Sequence, residues 1–283
     1  MAISRHQLVK ELEPGLNALF GLEYKRYENQ HSEIYTTESS DRAFEEEVML
    51  SGFANAQTKA EGSGVSFDEA QETYTARYTH DTIALAFAIT EEAIEDNLYD
   101  RLASRYTKAL ARSMSNAKQV VSLFSTNHTT VSGTAVKNTL TTQADLNETS
   151  LEQSLIDIAG MTDERGLRVA ARGMKMIVPS ANQFAAERLM KSPGRTGTAD
   201  NDINAVVSMG MVPQGYRVNN FLTDTDSWYI ITDVPNGMKM FQRAALKTAM
   251  EGDFDTGNVR YKARERYSFG VSDYRGIFGV EGA

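Results

Sequence analysis

An α+β chain built from elongated parts is what this sequence predicts, and three observations carry the prediction. The closing stretch NVRYKARERYSFGVSDYRGIFGV, residues 258–280, alternates with a period of two. The earlier VSFDEAQETYTARYTHDTIALAFAIT, residues 65–90, is β-rich in composition, has no Gly or Pro, and alternates over residues 83–89. Strands place successive side chains on opposite faces, so this period means strand. From Thr90 onward the apolar period becomes 3.6, the mark of a helix, and after residue 148 the texture mixes both.

Bulk properties set the class. The chain has 283 residues, 41% hydrophobic and 24% charged, enough for a substantial core in one large or two ordinary domains. The longest apolar stretch lies near TIALAFAIT, residues 82–90, far short of the roughly 20 residues of a membrane helix. The opening MAISRHQLVKELEPG lacks the apolar core of a secretory signal. Zero cysteines exclude a disulfide framework and thiolate chemistry, and suit a reducing cytoplasm. A net charge of −9 argues against a dedicated nucleic-acid binder, whose affinity depends on phosphate neutralisation. The distribution of that charge says more. Residues 38–72 hold nine acids against Arg42 and Lys59, a net of −7. Residues 258–275 hold five cations against Glu265 and Asp273, a net of +3.

The elements follow in order. Residues 4–20 read as a helix in two pieces, broken at Pro14-Gly15. The polar residues 28–43 read as an extended arm. FEEEVMLSGFA, 44–54, a loose tip at 55–64 and the return from Val65 read as a long two-stranded ribbon over 44–82. Within the return, Ile83, Leu85, Phe87 and Ile89 alternate with Ala84, Ala86 and Ala88, and that alanine face implies close approach by another backbone or helix. Thr90 is an N-cap with Glu91 and Glu92 in the first turn. The apolar ridge Ile94, Leu98, Leu102, Tyr106, Leu110, Met114, Ala117, Val121, Phe124 predicts one helix over 91–124. TSLE, 149–152, and SANQ, 180–183, read as capping boxes that open two further helices. MKMIVP, 174–179, reads as a short buried strand. A meander follows through YRVNNFL, WYIITDV, the Asn236-Gly237 turn and MKMFQ, and then the long closing strand.

Catalytic chemistry is not legible. His6, His31, His80 and His128 are scattered without metal-ligand spacing. There is no nucleophile elbow, no phosphate-cradling glycine loop and no dinucleotide fingerprint. DTDS, 224–227, and DFDTGN, 253–258, resemble calcium loops only superficially, and turn-forming Asp accounts for both. Lys59 reads as a solubilising residue at the ribbon tip. The closing strand is the exception to this blandness. Its Arg260, Lys262, Arg264 and Arg266 all fall on one face, opposite Val259, Tyr261, Ala263, Tyr267, Phe269 and Val271, broken only by Glu265.

The order of elements (arm, acidic ribbon, long helix, mixed region, closing strands) resembles the major capsid proteins of tailed bacteriophages, with the fold named after phage Hong Kong 97. TEEAIEDNLYDRLASRYTKALARSMSNA is similar to the family's spine helix, MIVPSANQFAAERLM to a frequent strand-helix, and WYIITDV to IFGV to its closing sequence. The resemblance implies an N-terminal arm at 1–43, an extended loop at 44–82 and an axial domain at 148–235. It implies a peripheral domain at 83–147 and 236–283 with the spine helix at 91–124. It also implies a structural, non-enzymatic protein of the virion, assembled in the host bacterial cytoplasm as hexamers and pentamers around double-stranded DNA. No cofactor, metal or membrane is implied. The other expected partners are a separate scaffolding protein, a portal and a possible decoration protein, with DNA touched non-specifically on the inner face. The residues that cross-link subunits in the founding member have no identifiable counterparts here.

That reading gives the two charged segments a use. In the family the extended loop lies over an adjacent subunit, so Glu61, Asp68, Glu69 and Glu72 of one copy are expected to meet Arg260, Lys262, Arg264 and Arg266 of another. The alternative within the fold is an encapsulin-type nanocompartment shell. Outside it, an enzyme needs a convergent pocket that the sequence does not offer, and a monomeric binding module needs a chain that stays single.

Overall fold

A computed structural model describes residues 5–26, 30–90, 99–116, 128–130, 135–194, 202–253 and 258–282. The helices are α1 (Arg5–Arg26), α2 (Tyr99–Asn116), α3 (Glu148–Ala159), α4 (Gln183–Lys191) and α5 (Ala205–Ser208). The strands are β1 (Thr36–Ser39), β2 (Phe44–Leu50), β3 (Glu72–Thr79), β4 (Asp81–Ile89), β5 (His128–Thr129) and β6 (Ala135–Val136). They continue as β7 (Gly173–Val178), β8 (Tyr216–Val218), β9 (Trp228–Thr232), β10 (Met238–Gly252), β11 (Val259–Val271) and β12 (Ile277–Val280).

Two four-stranded sheets organise the chain. The first has the order β1-β10-β11-β4, with β1 parallel to β10 and the rest antiparallel. Its apolar face carries Tyr261 and Ala263 onto Leu16 and Phe20 of α1 and Leu110, Ala111 and Met114 of α2. The second has the order β12-β9-β7-β8 and buries Met176, Trp228, Ile230 and Phe278 against Leu151, Leu155 and Ile158 of α3. Ile177 and Ile277 of the second sheet meet Met238, Met240 and Tyr267 of the first, which joins the two.

Several elements differ from the sequence reading, each for a physical reason. The helix α1 runs through Pro14 instead of breaking there. An interior proline costs about 3 kcal/mol, but Leu16 and Phe20 beyond it are buried, each contributing about 1.5–3 kcal/mol. The burial wins. The end of the segment read as an arm, Thr36–Ser39, is β1, registered on Lys239–Gln242. Helix α3 starts two residues earlier than expected: Ser150 N donates to Asn147 Oδ1 at 2.9 Å and Asn147 N to Ser150 Oγ at 3.0 Å, so the box is Asn147–Ser150. SANQ forms a short 3-10 turn over Ser180–Asn182 without a side-chain cap, and α4 follows.

The closing region is no meander. Strand β8 pairs parallel with β7, β9 pairs with β7 and β12, and β10 belongs to the other sheet. The long closing strand divides into β11 and β12, one in each sheet, with a 3-10 turn at Tyr274–Gly276 between them. There Gly276 meets Gly237 so closely that a Cβ on Gly237 would stand 2.8 Å from the Gly276 Cα. Of the helix expected over 91–124, Tyr99–Asn116 is α2; the Thr90 cap's first turn and residues 117–124 lie outside the described residues.

The extended loop also differs. Strands β2 and β3 pair over Phe44–Leu50 and Glu72–Thr79, and Ser51 N closes the ladder onto Gln71 O at 2.8 Å. Beyond that, residues 52–70 form no strand. The inward end stops at His80, after which β4 joins the first sheet.

Candidate inter-subunit surface

Strand β11 lies inside its sheet, so its solvent face is shared with neighbours on both sides. Across that face the register reads Glu251–Arg260–Ala88, Ala249–Lys262–Ala86 and Lys247–Arg264–Ala84. All nine side chains are exposed. Alternate residues repeat at about 6.6 Å along a strand, so Arg260, Lys262 and Arg264 form a row of cations, widened by Lys247 and flanked by alanines on the β4 side. The expected alternation therefore holds from Val259 to Glu265. It fails at Arg266, which is half-buried, its Nε buried without a hydrogen-bond partner, where β10 bulges opposite it at Ala244. Arg260 is not free either: it forms an ion pair with Asp253 of its own chain. Among the described residues no ion pair engages Lys262 or Arg264.

The acids of residues 38–72 divide into two groups. Those near the root are used within the chain: Glu38 lies 3.0 Å from Lys239 Nζ, Glu47 pairs with the same ammonium, and Glu46 lies 3.6 Å from Arg77. Those toward the tip, Glu61, Asp68, Glu69 and Glu72, are all exposed. Asp68 accepts hydrogen bonds from Ala54 N at 2.7 Å and Glu69 N at 3.0 Å. These bonds, Ala54's above all, with the Arg165 charge nearby, hold its carboxyl below the usual range. Arg165 also donates to the Glu69 carbonyl at 2.6 Å, which ties the tip to the turn at Asp163–Gly166. The tip carries apolar side chains that touch little: Phe67 is 98% exposed, Val65 69% and Phe53 61%.

The root is built quite differently. Tyr78 is buried against Phe241, with ring centroids 4.8 Å apart, and lies close against Gly270. A Cβ on Gly270 would stand 2.5 Å from the Tyr78 ring, so only glycine fits this strand position. The Tyr78 hydroxyl bonds Ser272 Oγ, and Ser272 in turn donates to Glu47. Burial, together with the Glu47 charge, pushes the Tyr78 hydroxyl up to about 12, although its bond to Ser272 pulls the other way. At the joint itself, buried His80 bonds Ser40 Oγ through Nε2 at 2.9 Å and Ser268 Oγ through Nδ1 at 3.0 Å. Ser40 in turn donates to Glu45 at 2.8 Å. Burial, helped by the charges of Arg266 and Arg243 and opposed by that of Glu45, lowers the His80 pKa and keeps the ring neutral.

Over residues 72–280 the chain matches the phage capsid protein family. The chain belongs to that family. No curated protein sequence matches it. The capsid of Myoviridae phage XM1 is similar in fold at 10% identity, covering 88% of this chain and 89% of that one with a TM-score of 0.56. The capsid of an empty GTA particle is similar at 14% identity, covering 90% of each chain with a TM-score of 0.57. The virus-like particle from Pyrococcus furiosus is similar at 10% identity, covering 94% of this chain and 98% of that one with a TM-score of 0.55. The capsid protein is thus a structural protein with a mixed α+β fold of the Hong Kong 97 kind.

Among the described residues of this capsid protein no cluster of His, Cys, Asp or Glu is arranged to hold a metal, and no helix is long and apolar enough to cross a membrane. One chain does not bring its two charged sets together: no ion pair joins Glu61, Asp68, Glu69 or Glu72 to Arg260, Lys262, Arg264 or Arg266 among the described residues. Sequence reasoning missed the root, including Lys239, Glu47, His80, Tyr78 and Ser272. Two signals were present. Lys239 interrupts an apolar run, and Gly270 interrupts a strand pattern, which marks close approach by another group.

Proposed function

We propose that this capsid protein assembles as hexamers and pentamers into an icosahedral phage head around double-stranded DNA, with the acidic loop tip of each copy seated on the cationic sheet face of the next. The observation that carries this reading is a mismatch within one copy. The acids and apolar rings at the loop tip face solvent, and Lys262 and Arg264 lie exposed on the β11 face. An isolated exposed ion pair contributes only about 0–1 kcal/mol, so each joint is weak. A closed symmetric shell repeats that joint many times, and the rings add apolar burial.

In this reading residues 44–82 are the extended loop, 148–235 the axial domain and 83–147 with 236–283 the peripheral domain. Residues 1–43 contribute an arm whose end is stitched into the sheet as β1. Scaffolding, portal and decoration proteins are the further partners. The net charge of −9 keeps packaged DNA from adhering to the shell. A second reading, a nanocompartment shell of encapsulin type, draws support from the Pyrococcus furiosus virus-like particle, which is matched over 98% of its length.

The test is the charge-reversed variant E61K/D68K/E69K/E72K examined by negative-stain electron microscopy beside the parent chain. The parent is expected to give shells, and the variant a folded protein that gives none. Normal particles from the variant would end the docking reading, and nuclease-protected DNA in particles from infected cells separates a phage head from a nanocompartment.

A further inference from the structure

The first sheet ends in two unlike edges. On one side β1 has four residues and carries Glu38, which is paired to Lys239. On the other, β4 keeps nine residues in unbroken register with β11. After Asp81 its sequence, TIALAFAI, holds no charge, proline or bulge. Proteins normally blunt a long free edge with such devices, because its outward N–H and C=O groups accept any passing strand. Nothing among the described residues pairs with the outer side of β4, and Leu85 there is 46% exposed.

The same chain holds a segment with the complementary shortfall. Val65, Ser66 and Phe67 lie in no strand, and no backbone hydrogen bond engages them among the described residues. Their sequence alternates apolar and polar through Asp68, and Phe67 is 98% exposed. A ring that exposed does not touch the β4 edge of its own chain.

We propose that residues 65–68 of one copy add as a fifth strand to the outer edge of β4 in the next copy. This rests on the shell reading above and specifies how the loop is held. On β4, Ile83, Leu85 and Phe87 share the face turned to α1 and α2, and Ala84, Ala86 and Ala88 share the face of the β11 cations. An added strand with the same alternation sets Val65 and Phe67 beside the apolar set and Asp68 beside the alanines. Strands lie about 4.8 Å apart, so Asp68 would stand two strands, roughly 10 Å by backbone, from Lys262 and Arg264. Aspartate and a long basic side chain together span that gap. The alanines matter because no larger β4 side chain stands between. The long unblunted edge, the alanine stripe and the neighbouring cations thus have one common use.

The chain has no cysteine, so introduced thiols report unambiguously. In oxidised assembled material F67C/L85C is expected to convert the 31.3 kDa band into a ladder of covalently joined chains. F67C/A249C, which aims the same thiol at the middle of the basic face, is expected to leave it single. Both substituted pairs lie at exposed positions, so the fold should hold. Amide exchange over residues 82–88 is expected to slow on assembly, as backbone pairing requires. Linking through A249C and not L85C, or unchanged exchange, overturns edge addition but leaves the loop seated on the basic face. Shells in which neither pair links overturn edge addition, and the charge-reversed variant then decides the docking reading independently. A chain that stays single under every assembly condition overturns the shell reading, and this one with it.

Discussion

The root and the tip of the extended loop lie within 40 residues of each other and follow opposite rules. At the root Tyr78 and Ala76 are buried with Phe241, Glu47 bonds Lys239 and Ser272, and His80 bonds Ser40 and Ser268. At the tip Phe53, Val65 and Phe67 are exposed. A two-stranded ribbon is marginal alone in water. The chain therefore anchors the ribbon's direction within one copy, and in the docking proposed above another copy covers its end. Stability and assembly are separated along one element, and the two ends should fail differently when altered.

Tyr78→Ala removes the buried ring and should produce the largest loss, about 3–5 kcal/mol of unfolding free energy, read from the denaturant midpoint of the unassembled chain. Gly270→Val, which drives a branched side chain into the same ring, should approach that loss. A near-neutral result from either would mean that the root is not the anchor. Glu47→Gln leaves nearly buried Lys239 with Glu38 alone and unsettles Ser272. Since Glu47 is partly exposed, about 1–3 kcal/mol is expected, below the figure for a fully buried pair.

His80 adds a dependence on pH at the joint. Its folded pKa lies below the ordinary 6.5, so the unfolded chain takes up a proton there first. Stability from neutral His80 is then fully present above about 6.5 and declines as pH falls beneath it. A pH series of thermal unfolding should show that decline, and H80Q should flatten it; an equal slope in both would assign the effect elsewhere.

The tip should behave in the opposite way. V65S/F67S is expected to leave unfolding of the single chain within about 0.5 kcal/mol, yet to deplete the shell fraction in sedimentation. If stability falls instead, the tip packs on its own body and the contrast between the two ends disappears. The smallest effect on assembly belongs to Arg260→Ala. Its Asp253 pair is exposed and contributes at most about 1 kcal/mol, and with Arg260 already engaged, Lys262→Ala should reduce assembly more.

Much of this architecture was legible because local periodicity reports which face is buried. The row Arg260, Lys262, Arg264 stood out from the apolar set between them. The alanines of β4 were expected to face a close backbone or helix, yet Ala84, Ala86 and Ala88 are exposed and the helices pack on the opposite face. Where local chemistry and long-range contacts disagreed, the contacts decided. Pro14 announces a break, but the burial of Leu16 and Phe20 carries α1 past it. The stretch Ala244 to Met250 is rich in helix-favouring residues, yet β11 pairs along it and makes it the second half of β10. Lys239 stood out only as a charge within an apolar run, and Glu47 and His80 not at all, because the partners of these three come from segments 192, 225 and 188 residues away in sequence.

Composition and period were thus enough to establish an α+β chain with an acidic loop and a basic strand. Short-range order suffices for such facts, since a strand or helix exposes its buried side every two or 3.6 residues. Which strands became neighbours, how the loop is braced at its root, and which edge was left open were decided only when distant segments met. Those outcomes depend on contacts between residues that no local window contains, so they were settled by the folded chain and not by its periodicity.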